Sequence, residues 1–102
     1  MLTIKNIAKI RGREILVRGY RFEIGNIFSD ESNYWITLEY PGTAHAPITL
    51  LLRREATVDV QNGILRYALK KDTTTDYSYV SLEGLGNPDE FVGIIQRYLN
   101  NL

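Results

Sequence analysis

The sequence EATVDVQNGILRYALK, residues 55–70, decides the fold because it predicts a β-hairpin. Asn62-Gly63 interrupts two runs in which apolar and polar residues alternate. Asparagine and glycine both tolerate positive φ, which a two-residue type I′ turn requires. We therefore predict strands over 55–61 and 64–70, joined by a tight turn.

The two-residue loop also predicts the register of this hairpin. One face then carries the apolar pairs Val60–Leu65, Val58–Tyr67 and Ala56–Leu69. The other face carries the oppositely charged pairs Asp59–Arg66 and Glu55–Lys70. A slip of one residue would move every side chain to the wrong face. This register is the basis for predicting which residues lie inside.

Other segments outside this hairpin also show strand patterns. Tyr34, Ile36, Leu38 and Tyr40 alternate with polar residues until Pro41-Gly42. The remaining predicted segments are 13–24, bent at Gly19; 47–53, which either continues into 55–61 or ends before it; and 77–82. Residues 2–10 fit a strand or a helix, and their β-branched content favours a strand.

The last apolar segment predicts a helix. Asn87 is a good N-cap residue, Pro88 suits the first helical position, and acidic side chains follow at the positive end of the helix dipole. A single apolar stripe follows at helical spacing: Phe91, Ile94, Ile95, Tyr98, Leu99 and Leu102. We predict that the stripe is buried and that Asp89, Gly93, Gln96 and Asn100 lie on the far, exposed side.

These elements predict one α+β domain over residues 1–102, a mostly antiparallel bent sheet or β-sandwich of six or seven strands with one C-terminal helix. The element order and the segment Leu85-Gly86-Asn87-Pro88-Asp89-Glu90-Phe91 resemble the pleckstrin-homology-like superfold. That resemblance implies a bent seven-stranded sandwich that a final helix closes at one end. A shared fold carries no function by itself.

Composition disfavours several classes of function. Twelve Lys and Arg balance twelve Asp and Glu, and such a chain lacks the positive charge that nucleic-acid binding draws on. Cysteine is absent and there is one histidine, so we predict no metal site and no cofactor. The absence of a long apolar run predicts no membrane span and a cytoplasmic protein.

Charge is distributed in blocks along the chain. Residues 1–21 carry six basic side chains and one acidic one, and residues 53–71 carry five basic and two acidic. The blocks between and after them are acidic. Either neighbouring strands of opposite charge attract each other across the sheet, or the two basic blocks converge into a functional patch.

The basic segment 9–13 is a candidate anion site between the first two predicted strands. Its side chains Lys9, Arg11 and Arg13 resemble the pattern with which pleckstrin-homology domains bind inositol phosphates. Guanidinium groups match phosphate oxygens in geometry, and Gly12 allows the backbone to approach. The alternative is a solvated turn whose charges prevent edge pairing.

His45, in the loop 42–47, is the candidate for a catalytic base. A general base needs an orienting carboxylate and a nearby nucleophile, and the local sequence offers neither. We therefore expect a solvated loop histidine, and a small enzyme of unknown class is only an alternative. For Tyr20, Phe22 and Tyr67, which alternate with arginines, we expect burial in the core rather than base stacking.

Two residues suggest a protein interface. Trp35 falls on the polar face of its strand, where either a second layer covers it or it anchors a partner. Glycine at position 93 lowers helix stability by about 1 kcal/mol relative to alanine. A neighbouring molecule that approaches the helix closely would explain why glycine is present there. We therefore predict a non-catalytic protein-binding or assembly module. Its partner is another protein or a second copy, and binding of a phosphoinositide-like headgroup or nucleic acid through segment 9–13 is the alternative.

Overall fold

Six antiparallel strands form one curled sheet in sequential order, followed by a C-terminal helix. The computed structural model describes residues 7–30, 33–59, 64–81 and 86–102, without the side chains of residues 54–66. The strands are β1 (Glu14–Val17), β2 (Tyr20–Ser29), β3 (Asn33–Glu39), β4 (Ile48–Asp59), β5 (Ile64–Lys71) and β6 (Ser78–Ser81), and the helix is α1 (Pro88–Asn100). The predicted α+β class, with six strands and one helix, is confirmed.

The predicted strand over 13–24 is instead a hairpin. Arg18 and Gly19 both have positive φ, 51° and 87°, and Val17 pairs with Tyr20 on either side of them. Positive φ at both central residues is the geometry of a type I′ turn. Arginine rarely adopts this conformation, and the apolar residues continue on both sides, so the sequence pattern conceals the turn.

The predicted strand over 2–10 is wrong for residues 7–10, and residues 2–6 lie outside the described part of the chain. Ile7 and Ala8 are helical and a turn follows, with the amide of Ile10 donating to the carbonyl of Ile7 at 3.1 Å. Ile7 and Ile10 are both fully buried. Their spacing of three suits one helical turn on the core, which explains why a β-branched segment is not a strand here.

Strand β4 is continuous, but its register with β5 differs from the prediction. Val58 lies opposite Leu65, and the register then shifts so that Arg54 lies opposite Tyr67. The predicted pairs Val58–Tyr67, Ala56–Leu69 and Glu55–Lys70 are therefore wrong: Leu69 pairs with Leu52, and Lys70 with Leu51. The Asn62-Gly63 turn lies outside the described residues.

The predicted inward face of the hairpin is nevertheless correct where side chains are described. The register shifts by an even number of residues, and an even shift leaves each side chain on its original face. Tyr67 and Leu69 are buried, as are Leu50 and Leu52 on β4. These residues join one core cluster with β2, β3 and α1.

Helix α1 begins as predicted. The Asn87 side-chain oxygen accepts hydrogen bonds from the amides of Asp89, at 3.0 Å, and Glu90. Phe91, Ile95 and Leu99 are buried against the concave face of the sheet. We call this concave side the inner face and the opposite side the outer face.

The side of α1 that the sequence predicts to be exposed instead contacts β1 and the residues next to it. Arg13 forms an ion pair with Asp89 at 2.5 Å, and Gln96 and Asn100 hydrogen-bond to the backbone of β1. Gly93 lies in the same row and is partly buried. The helix therefore covers the edge of β1 as well as the core, an arrangement that keeps an edge strand from pairing elsewhere.

Candidate functional site

Trp35 lies on the outer face of β3, with aromatic and aliphatic neighbours. Its cross-strand partners are Phe28 on β2 and Leu51 on β4. Trp35 is half-buried, and its indole nitrogen donates to a carboxylate oxygen of Asp30 at 3.3 Å. Phe28 remains 54% exposed, whereas Leu51 is buried. We call Phe28, Trp35 and Leu51 the outer apolar row.

The helix leaves this row uncovered, because α1 packs on the inner face. Phe28 is therefore the member of the row whose side chain is most exposed to solvent. Tyr79 is another exposed aromatic side chain, at 64%, on β6. Within the described chain, β6 pairs with β5 on one side and with no strand on its other side.

The outer face also carries separated charges. Glu23 lies directly opposite Glu14 on one side and Glu39 on the other, which makes a row of three carboxylates across β1, β2 and β3. At the other side of the sheet, Arg53 and Lys70 approach the ring of Tyr77, with distances of 4.3 and 5.5 Å to its centroid. One part of the face is thus acidic and another basic.

The basic segment 9–13 precedes β1 and does not join two described strands. Lys9 and Arg11 are exposed. Arg13 is engaged by Asp89. The three side chains predicted to bind an anion together therefore differ in their surroundings, and one of them stabilises the contact between β1 and α1.

His45 is not the solvated loop residue that the sequence predicts. Its ring lies in an aromatic cluster, with centroids 4.1 Å from Tyr20, 4.8 Å from Tyr40 and 6.0 Å from Phe22. Its Nε2 atom is buried and has no hydrogen-bond partner. Tyr20 itself is half exposed, so it lies at the rim of this cluster rather than in the core.

A cavity of about 330 Å³ lies beside this cluster. Its lining residues are Val17, Arg18, Tyr20, Phe22, His45, Ala46, Ile48 and Lys71. Arg18 belongs to the first basic block of the sequence and Lys71 to the second. The two blocks therefore meet here through one cation each, and none of the described residues that line the cavity is acidic.

Among the described residues that line the cavity with His45, none has the carboxylate that would orient a catalytic imidazole. Over the described ranges of the chain, no group of three His, Cys, Asp or Glu side chains is placed to hold a metal ion. No helix in the described part of the chain is long and apolar enough to cross a membrane.

Comparison with protein families, with curated protein sequences and with solved structures finds no significant match. The surroundings of each candidate residue are therefore the basis for assigning a function.

Sequence reasoning missed the cavity because its lining comes from three separate parts of the chain, 17–22, 45–48 and Lys71. Arg18 lies in a turn that the pattern concealed, and Lys71 ends a strand whose register was unknown. The basic blocks were the only available signal, since they suggested that distant cations converge.

Proposed function

We propose that this protein is a non-catalytic assembly module that binds a second copy of itself through the outer face of the sheet. The observation that carries the proposal is the outer apolar row, in which exposed Phe28 adjoins Trp35 and Leu51. Burial of exposed aromatic surface is a main favourable term in protein association. Aromatic residues are also enriched where interfaces concentrate their binding energy.

Charge on the outer face supports a second copy as the partner. The row Glu14, Glu23 and Glu39 and the pair Arg53 and Lys70 lie on the same face but on different strands. A two-fold axis presents the same surface twice, so an acidic region of one copy can meet the basic region of the other. Such complementarity orients partners and raises the rate of encounter.

Sedimentation equilibrium over a range of protein concentrations tests this proposal. We expect the average mass to rise from one chain towards two, and Phe28→Ser to weaken the association at least about tenfold, since central interface aromatics contribute more than about 1.4 kcal/mol. Leu102→Ser is the matched control, because Leu102 is also an exposed apolar side chain but lies beyond α1.

The chain contains one tryptophan, and its indole NMR signal provides an independent readout of the outer face. We expect this signal to move with protein concentration in the wild type and to remain fixed in Phe28→Ser. A mass of one chain at every concentration, with an unchanged indole signal, would show that the outer face does not bind a second copy.

A further inference from the structure

We propose that the cavity beside His45 binds a small organic anion with an apolar or aromatic body. The site is separate from the outer face, because its lining includes residues on the inner face of the sheet or at the rim of that face: Val17, Tyr20, Phe22 and Ile48. The proposal therefore stands independently of self-association.

The charge of the lining favours an anion. Arg18 and Lys71 both line the cavity, and its described lining includes no acidic side chain. The Arg18 guanidinium donates to the carbonyl oxygen of Leu102, which uses only part of its five N–H donors. The Lys71 backbone amide donates to the Tyr98 hydroxyl at 2.8 Å, so this hydrogen bond anchors the end of β5 without using the ammonium group.

His45 adds a third polar group. Its Nε2 is buried without a hydrogen-bond partner, and a buried polar atom in that condition destabilises a protein. An imidazole N–H group donates a hydrogen bond that a carboxylate or phosphate oxygen accepts. The rings of Tyr20 and Tyr40 pack around the imidazole, and a ligand oxygen that reaches Nε2 would supply the hydrogen bond that this atom lacks.

The walls define the rest of the ligand. Val17, Phe22 and Ile48 supply apolar surface, and Tyr20 supplies an aromatic ring at the rim. A volume of about 330 Å³ lies at the lower end of the range for small-molecule sites. An inorganic ion alone would leave these walls without contacts, so the fitting ligand is a compact amphiphilic anion.

Titration with phenylacetate tests the site, with the single histidine as the reporter. We expect the His45 ring signals to shift and saturate while the Trp35 indole signal stays unchanged. Phenylacetamide, the neutral analogue, should bind at least about tenfold more weakly, because it loses the charge-assisted hydrogen bonds. Phenyl phosphate compared with phenylacetate distinguishes a preference for phosphate from one for carboxylate.

Two variants examine the cations separately. Lys71→Gln removes one charge at similar size and should weaken phenylacetate binding about tenfold. Arg18→Asn removes the other, and asparagine tolerates the positive φ of that position, so the turn is retained. Arg21→Gln is the matched control: it removes an exposed arginine from the opposite face of β2 and should leave the affinity unchanged.

Three results would overturn the proposal. The first is the absence of a saturable His45 shift with either aromatic anion. The second is equal affinity for phenylacetamide, which would show that charge is not recognised. The third is equal affinity for inorganic phosphate and phenyl phosphate, which would show that the apolar walls take no part.

Discussion

The side-chain amide of Asn100 donates a hydrogen bond of 2.8 Å to the backbone carbonyl of Leu16, joining the last turn of α1 to the edge strand β1. The oxygen of the same amide accepts from the backbone amide of Arg18 at 2.7 Å. One turn earlier, Gln96 accepts from the amide of Leu16 at 3.1 Å. Helix side chains thus act as the neighbour that an edge strand otherwise lacks.

Replacement of Asn100 by alanine should destabilise the fold. The change removes both hydrogen bonds to β1, and each contributes about 0.5–1.5 kcal/mol, so we expect a loss of about 1–3 kcal/mol in the free energy of unfolding. Urea denaturation measures it. Asn101→Ala is the control, because the recorded cap contacts of Asn101 come from its backbone amide. Equal stability of the two variants would show that the link to β1 contributes nothing.

Replacement of Gly93 by alanine should stabilise the protein. An added Cβ would lie 3.8 Å from the Arg97 guanidinium, an ordinary contact, and alanine is favoured over glycine in a helix by about 1 kcal/mol. Thermal denaturation at low protein concentration should show a higher Tm. A lower Tm would contradict this prediction and would mean that the added methyl group is not accommodated at this position of the helix.

Gly19→Ala provides the contrasting case. No atom lies within 4 Å of a Cβ added at Gly19, so space is not the obstacle there, but the φ of +87° strains any residue with an L side chain. Left-handed backbone costs about 1–2 kcal/mol per residue, so we expect Tm to fall. A Gly19→Ala variant as stable as the wild type would contradict the type I′ turn at Arg18–Gly19.

Reversing the charge of Glu23 should stabilise the sheet. Glu23 lies between Glu14 and Glu39, and like charges directly opposite each other are destabilising. Glu23→Lys converts two repulsive pairs into attractive ones, for a gain of about 0.5–1 kcal/mol at low salt that decreases at high salt. Denaturation with urea, which is uncharged, should be done at low protein concentration, since the residue lies on the proposed interface.

Asp76→Lys is the control for Glu23→Lys, because it makes the same charge change in an exposed loop. An equal gain in stability there would exclude a cross-strand effect.

Replacement of Asn87 by alanine should weaken the start of α1. The Asn87 oxygen accepts from the amides of Asp89 and Glu90, which otherwise lack a partner within the helix. We expect a loss of about 1 kcal/mol in unfolding free energy, and Asn87→Ser should recover most of it because serine also caps helices. Failure of serine to restore stability would show that the loss has another cause.

The sequence alone determined the class of fold, the start of α1 and the inward face of β3, β4 and β5 where their side chains are described. These properties are local. An N-cap acts within one helical turn, and alternation along a strand assigns faces whatever the neighbouring strand is. The buried positions of Tyr67 and Leu69 were therefore predicted correctly although their partners were not.

The tertiary structure alone decided the register of β4 with β5, the covering of β1 by Gln96 and Asn100, and the meeting of Arg18 and Lys71 beside His45. Each of these features depends on the relative position of two elements that are distant in sequence. A change of two residues in register leaves every apolar side chain on the same face of the sheet. The alternation of apolar and polar residues therefore cannot distinguish two registers that differ by two residues. Packing of the complete sheet against the helix selects between them.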